Sequence, residues 1–193
     1  FLSSIMTAQP TFKEKVDREL AFEAVKELKY KGVLVVRLKT NHVKIRALEN
    51  EVANPKIKAS RKKRAQSILD ETINKRDAIN STMATIFMDS FGFCPVYLSY
   101  DSSAKSLSGG VRKGIFLDRN LNIDESIGIP DTMTVFVVYY HEKSGEYPSD
   151  GLMLRRVDKV LDEPFPKFSS IKESFVNDIN TPRLRRVILT LDD

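Results

Sequence analysis

Val33-Leu34-Val35-Val36-Arg37-Leu38 places the tightest limit on what this chain can fold into. The run is apolar almost throughout, rich in β-branched residues, and bounded by Gly32 and Asn41. A half-buried strand alternates apolar and polar residues. This one does not, so both of its faces must be covered, as in the middle of a parallel sheet. Two-sided cover requires helices on both faces, or a helix and a second layer, which predicts a layered α/β (α+β) architecture. The chain can supply the cover: it has 193 residues, 41% of them apolar, enough to bury roughly 70% of the unfolded surface without a disulfide or metal. A single cysteine excludes an intramolecular disulfide and a cysteine zinc cluster.

The pattern around this strand predicts the remaining elements. Thr11-Phe12-Lys13-Glu14 has the form of a capping box. Phe12, Val16, Leu20, Ala24 and Leu28 then follow at near-helical spacing, which predicts an amphipathic helix ending near Gly32. Residues 42–91 read as helical, with Ile45, Leu48 and Val52 on one stripe. Asn54-Pro55 has the form of a cap followed by proline at the first helical position. Leu69, Ile73, Ile79, Met83, Ile86, Phe87 and Phe91 continue a helical face that Arg76 interrupts. Strands are predicted at 95–100, 114–117 and 132–140, and at 151–157, the last two forming an antiparallel hairpin. A polar loop separates the first two of these at 102–113, and Pro164-Phe165-Pro166 ends the sheet region. Ser170-Ile171-Lys172-Glu173 is a second capping box, opening a helix through Ile171, Phe175 and Ile179. The segment 184–191 suits either a helix or an edge strand. The expected whole is a mixed central sheet of about five strands flanked by helices. A long helical insert joins strands 1 and 2, which makes those two parallel, while the later strands are expected to be antiparallel.

Few residues group as chemistry requires. Cys94 follows a helix C-terminus, where the dipole opposes a thiolate, and reads as a buried, inert thiol. Asp118-Arg119-Asn120-Leu121-Asn122-Ile123-Asp124-Glu125 alternates oxygen side chains as calcium loops do. Ile123 and Ile129 stand where such a loop needs glycine and a bidentate glutamate, so a turn explains the same residues. Ser108-Gly109-Gly110-Val111-Arg112-Lys113-Gly114 lacks phosphate-loop spacing and precedes a strand instead of a helix. His42 and His141 are outside any metal-ligand spacing, and no Gly-x-Ser-x-Gly elbow is present. No cofactor or metal is expected from these residues.

The clearest charge feature is Lys56, Lys58, Arg61, Lys62, Lys63 and Arg64, with no acid among residues 56–64, in a chain of net charge +5. It reads either as a solvated helix end or as a contact for an anionic lipid, a polyanionic sugar or nucleic acid. No aromatic residue is interleaved with the cations, which weakens the stacking expected of single-strand binding. No stretch reaches the roughly 18 apolar residues of a membrane span.

The opening Phe1-Leu2-Ser3-Ser4-Ile5-Met6-Thr7-Ala8-Gln9 is an apolar run followed by small residues, with a plausible cut between Ala8 and Gln9. It reads as the tail of a secretory signal (residues 1–9), leaving 10–193 as a single domain; a frayed terminus or a strand of a larger domain is the alternative. Lys31-Gly32-Val33-Leu34-Val35-Val36-Arg37-Leu38-Lys39-Thr40, the charged helical insert and Phe91-Gly92-Phe93-Cys94-Pro95-Val96-Tyr97 together resemble a family of uncharacterised, signal-bearing bacterial proteins. Gly151-Leu152-Met153-Leu154 and Pro164-Phe165-Pro166 fit the same resemblance, which covers about two thirds of the chain. It implies export, to the periplasm or beyond the cell, and brings no activity with it. The layout also resembles the thioredoxin-like fold, without that fold's paired redox cysteines. The expectation is an exported, non-enzymatic binding domain whose partner is a protein or an anionic surface. Its alternatives are an enzyme with a site in the 102–124 loops and a cytosolic nucleic-acid binder.

Overall fold

The structure, a computed structural model, describes residues 12–142, 149–158 and 168–170; of 12–18 and 168–170 it describes the backbone alone. Several expectations lie outside these residues: the signal tail, the cut at Ala8, the helix from Ile171 to Ile179, and the segment 184–191.

β1 (Gly32–Leu38) is the middle of the sheet, as its sequence demands. Val33, Leu34, Val35, Val36 and Leu38 are all at most 1% exposed. The strand pairs in parallel with β2 (Val96–Tyr100) on one side and β4 (Thr134–His141) on the other. β3 (Phe116–Leu117) is antiparallel to β2, β5 (Gly151–Arg156) to β4, and β6 (Phe168–Ser170) to β5. The resulting mixed sheet has the order β3-β2-β1-β4-β5-β6.

Alternate residues of β1 divide the core in two. Leu34, Val36 and Leu38 face the helical layer, α1 (Phe12–Lys31) and the second half of α3 (Ala59–Ser90), through Leu28, Ile79, Met83 and Phe87. Val33 and Val35 face a second layer built from α4 (Ala104–Ser108) and the irregular chain around β3, through Leu107, Phe116 and Ile129. A polar-looking loop therefore supplies cover: a 3-10 turn at Asp101–Ser103 and the single turn of α4 bring Leu107 down to 2% exposure.

The long insert is two helices, α2 (His42–Ala53) and α3, packed on each other. Pro55 lies in the turn between them and does not begin α3, which starts at Ala59 with Lys58 as its cap. On α1 the inward stripe is Ala21, Ala24 and Leu28. The expected Leu20 is instead 52% exposed, because the two small alanines let the helix sit close to the sheet and turn Leu20 outward. α1 is tied to the far strands by Glu27, whose carboxylate accepts from Arg156 Nη1 at 2.8 Å and Thr134 Oγ1 at 3.0 Å.

Other sequence expectations are corrected by topology. β4 runs parallel to β1, not antiparallel to its predecessors, because antiparallel β3 returns the chain to the amino edge of the sheet before β4 begins. The sheet also continues past Pro164-Phe165-Pro166: Phe168–Ser170 form β6, so Ser170 closes a strand where a helix cap is expected.

Candidate functional site

β1 and β2 are adjacent and parallel, but the chain leaves them over opposite faces: β1 toward α2 and α3, β2 toward α4. Such a reversal opens a crevice at the carboxyl ends of the strands, the usual place for a ligand in an open α/β sheet. The third parallel strand, β4, ends at the same edge with Tyr139, Tyr140 and His141.

The turn leaving β1 is clamped from three sides. Asn80 of α3, 4% exposed, donates from Nδ2 to the Lys39 carbonyl at 2.7 Å and accepts from the Lys39 N–H at 3.0 Å. Arg76 Nη1 donates to the Thr40 carbonyl at 3.3 Å. Asp101, just past β2, accepts at Oδ1 from both the Thr40 N–H (3.0 Å) and the Thr40 hydroxyl (2.6 Å), stitching the crevice mouth. The hydroxyl's one proton is committed to Asp101, so in the 3.0 Å contact between Thr40 Oγ1 and His42 Nδ1 the ring must be the donor. Asn41 makes the reversal with φ 52°, a left-handed conformation that asparagine tolerates better than most residues.

Beside this turn is a cleft of about 270 Å³, lined by Arg37, Lys39, Asp101, Tyr139, Tyr140, His141 and Glu142. Arg37 comes from the otherwise apolar β1 and emerges at the carboxyl end of the Val33–Val35 face. Its guanidinium lies over the Tyr139 ring, 4.0 Å from the centroid. Burial lowers the Arg37 pKa, partly offset by Tyr139; an arginine remains charged regardless. Burial likewise lowers the Lys39 pKa, opposed mainly by Glu142. Lys39 Nζ is 3.7 Å from Glu142 Oε1 and 5.2 Å from the Tyr140 ring centroid, and Lys75 reaches the same carboxylate oxygen at 3.2 Å. Tyr140 donates to Asp150 Oδ2 at 2.7 Å, and burial, then that bond, push its pKa well above the ordinary value. Among the described residues no carboxylate pairs with Arg37 within 4.0 Å. The site thus offers a fixed, half-dehydrated guanidinium and two ammonium groups that share one carboxylate.

The cations expected from sequence are elsewhere. Lys56 is in the α2–α3 turn, Lys58 caps α3, and Arg61, Lys62, Lys63 and Arg64 occupy its first turns; all are exposed except half-buried Lys62. Arg61 pairs with Glu51, and among the described residues the other five have no ion pair within 4.0 Å. Of the 102–124 loops, Arg119 and Leu121 line a hollow of about 110 Å³ beside Asp89 of α3, whereas Asp101 borders the carboxyl-edge cleft. Asp118 Oδ1 accepts from the N–H groups of Asn120 and Asn122, closing the expected turn. Cys94 is buried. His42 and His141, unrelated in sequence, sit at the same sheet edge. Sequence reasoning missed Arg37, Lys39 and Asn80; the one available signal was Arg37, a charge inside an apolar strand. Searches for a matching family model, a similar curated protein and a similar solved structure each found none.

Proposed function

We propose that the protein is an exported, non-enzymatic binding domain that takes a small carboxylate- or phosphate-bearing ligand at the carboxyl edge of β1, β2 and β4. The observation that carries this reading is Arg37, stacked 4.0 Å from the Tyr139 ring centroid in a cleft of about 270 Å³. Stacking fixes the guanidinium plane, and a fixed fork matches a planar oxyanion with two parallel hydrogen bonds. Half-buried Lys39 and, beside it, Lys75 add positive charge, and partial burial strengthens the attraction of Lys39 for an anion. Export is supported by the apolar run and small residues before Gln9 and by the family resemblance.

The test is a chemical-shift titration of the protein with inorganic phosphate and with succinate, at constant ionic strength. Saturable shifts centred on Arg37, Lys39 and Tyr139 are expected, weakened at least ~10-fold by Arg37→Met, since a charged hydrogen-bonding partner contributes about 1.5–3 kcal/mol. Absence of saturable shifts with either anion, or unchanged affinity in the folded Arg37→Met variant, would overturn the reading.

A further inference from the structure

The six cations at 56–64 form a feature independent of the cleft. α2 packs chiefly on α3 and buries none of its residues, while α3 meets the sheet through its second half, at Ile79, Met83 and Phe87. The hairpin's base is fixed where Arg76 bonds the Thr40 carbonyl. At 1.5 Å per residue, its tip at Lys58 stands about 27 Å along the helix from that anchor. No Asp or Glu occurs from 52 to 69, and Glu51 balances only Arg61. Folding therefore concentrates five cations without ion-pair partners among the described residues at one end of the α2–α3 pair.

We infer that this tip docks end-on against a bilayer rich in anionic lipid. Arg61, Lys62, Lys63 and Arg64 follow one another at about 100° around the helix, so they ring its end instead of forming one stripe. A rod-like polyanion such as duplex nucleic acid would engage one side of such a ring. A flat field of headgroups meets the tip from the end, where Lys56 and Lys58 also lie. No aromatic residue from 52 to 69 offers a base a stacking surface, and Ile57, half-buried, is the one apolar side chain of the 54–58 turn. The contact is therefore electrostatic adsorption without insertion, and it must weaken with salt.

Cosedimentation of the purified protein with vesicles tests this. Partitioning onto vesicles of about one-third phosphatidylglycerol in phosphatidylcholine is expected, with little onto pure phosphatidylcholine, and a steep fall between about 50 and 300 mM salt. Each cation near an anionic surface contributes about fivefold to partitioning. The exposed pair Lys63→Glu/Arg64→Glu should therefore lose at least ~100-fold. Lys44→Glu/Arg46→Glu, equal in charge change but near the hairpin base, should lose far less. Equal binding to both vesicle types would overturn the inference, as would equal losses in the two double variants. Tighter binding to a DNA duplex than to the anionic vesicles would overturn it in favour of nucleic acid.

Discussion

Asn80 joins the fold to the candidate site, so its replacement tests both. The side chain is 4% exposed and makes a closed pair of hydrogen bonds with the backbone of one residue of the β1–α2 turn, donating to the Lys39 carbonyl at 2.7 Å and accepting from the Lys39 N–H at 3.0 Å. Asn80→Leu keeps the branched outline of the side chain and removes both partners at once. Each orphaned backbone group then costs about 1–3 kcal/mol. Lys39 is itself half-buried, so water can relieve part of this, and the expected loss is about 2–4 kcal/mol. Against a total stability of about 5–15 kcal/mol, that is a large fraction, and it corresponds to a fall in Tm of roughly 5–15 °C for a chain of this length. Urea unfolding followed by circular dichroism measures it, with Asn80→Ala alongside to separate lost hydrogen bonds from strain introduced by leucine. The folded variant should also bind phosphate more weakly, because Lys39 is no longer held against the cleft. A stability within about 0.5 kcal/mol of the parent for both variants would refute the clamp.

Gly32→Ala should destabilise by about 1–3 kcal/mol, because a Cβ there would sit 2.7 Å from the Leu28 Cα and carbonyl oxygen, which are backbone atoms of α1; an unchanged urea midpoint would contradict the close approach. Tyr140 has a folded pKa raised well above the ordinary 10.0, by burial first and then its bond to Asp150. The native state therefore holds this proton more tightly than the unfolded chain, so the contribution is intact below pH 10 and lost as pH rises beyond it. In an ultraviolet phenolate titration, Tyr140→Phe should remove one late-titrating group that ionises together with unfolding; loss of a group titrating near pH 10 in the folded protein would contradict this. For export, protein expressed with its upstream residues should carry a mature N-terminus near Gln9, and an intact precursor in the cytosol would count against the signal reading.

The architecture was legible because its central element has a one-dimensional signature. Val33–Leu38 lacks alternation, and a strand with two apolar faces can only be interior. The helical repeat of Leu69, Ile79, Met83, Ile86 and Phe87 located the crossover, and all five are buried. Errors arose where spacing underdetermines geometry. Pro55 fits the first position of a helix or a turn equally well, and its φ is the same in both. Leu20 falls on the periodic stripe, yet Ala21 and Ala24 set how closely α1 approaches the sheet. Whether β4 runs parallel or antiparallel depends on which edge the chain occupies after β3; the sequence marks a strand at 114–117 but not its direction.

The cleft was illegible for a related reason. Its lining comes from three strand ends, at residues 37–39, 101 and 139–142, whose only shared property is that they terminate parallel strands at one edge. No spacing in the chain encodes that coincidence; strand order does. The sequence did mark one member, because burying Arg37 among Val33, Val35, Val36 and Leu38 costs solvation that a leucine would not. Tyr139, the residue opposite Arg37 in the β1–β4 register, offsets part of that cost by placing a ring under the guanidinium. Arg37 is thus a charge kept inside the most apolar strand, with an aromatic partner and no carboxylate within 4.0 Å among the described residues. The basic segment at 56–64 is the converse case. It was conspicuous in sequence because its charges are contiguous, and contiguity on a helix disperses them around the axis. Six neighbouring cations therefore make a poor pocket and a good docking point, whereas one arginine in an apolar strand is inconspicuous in sequence and sterically fixed in the fold.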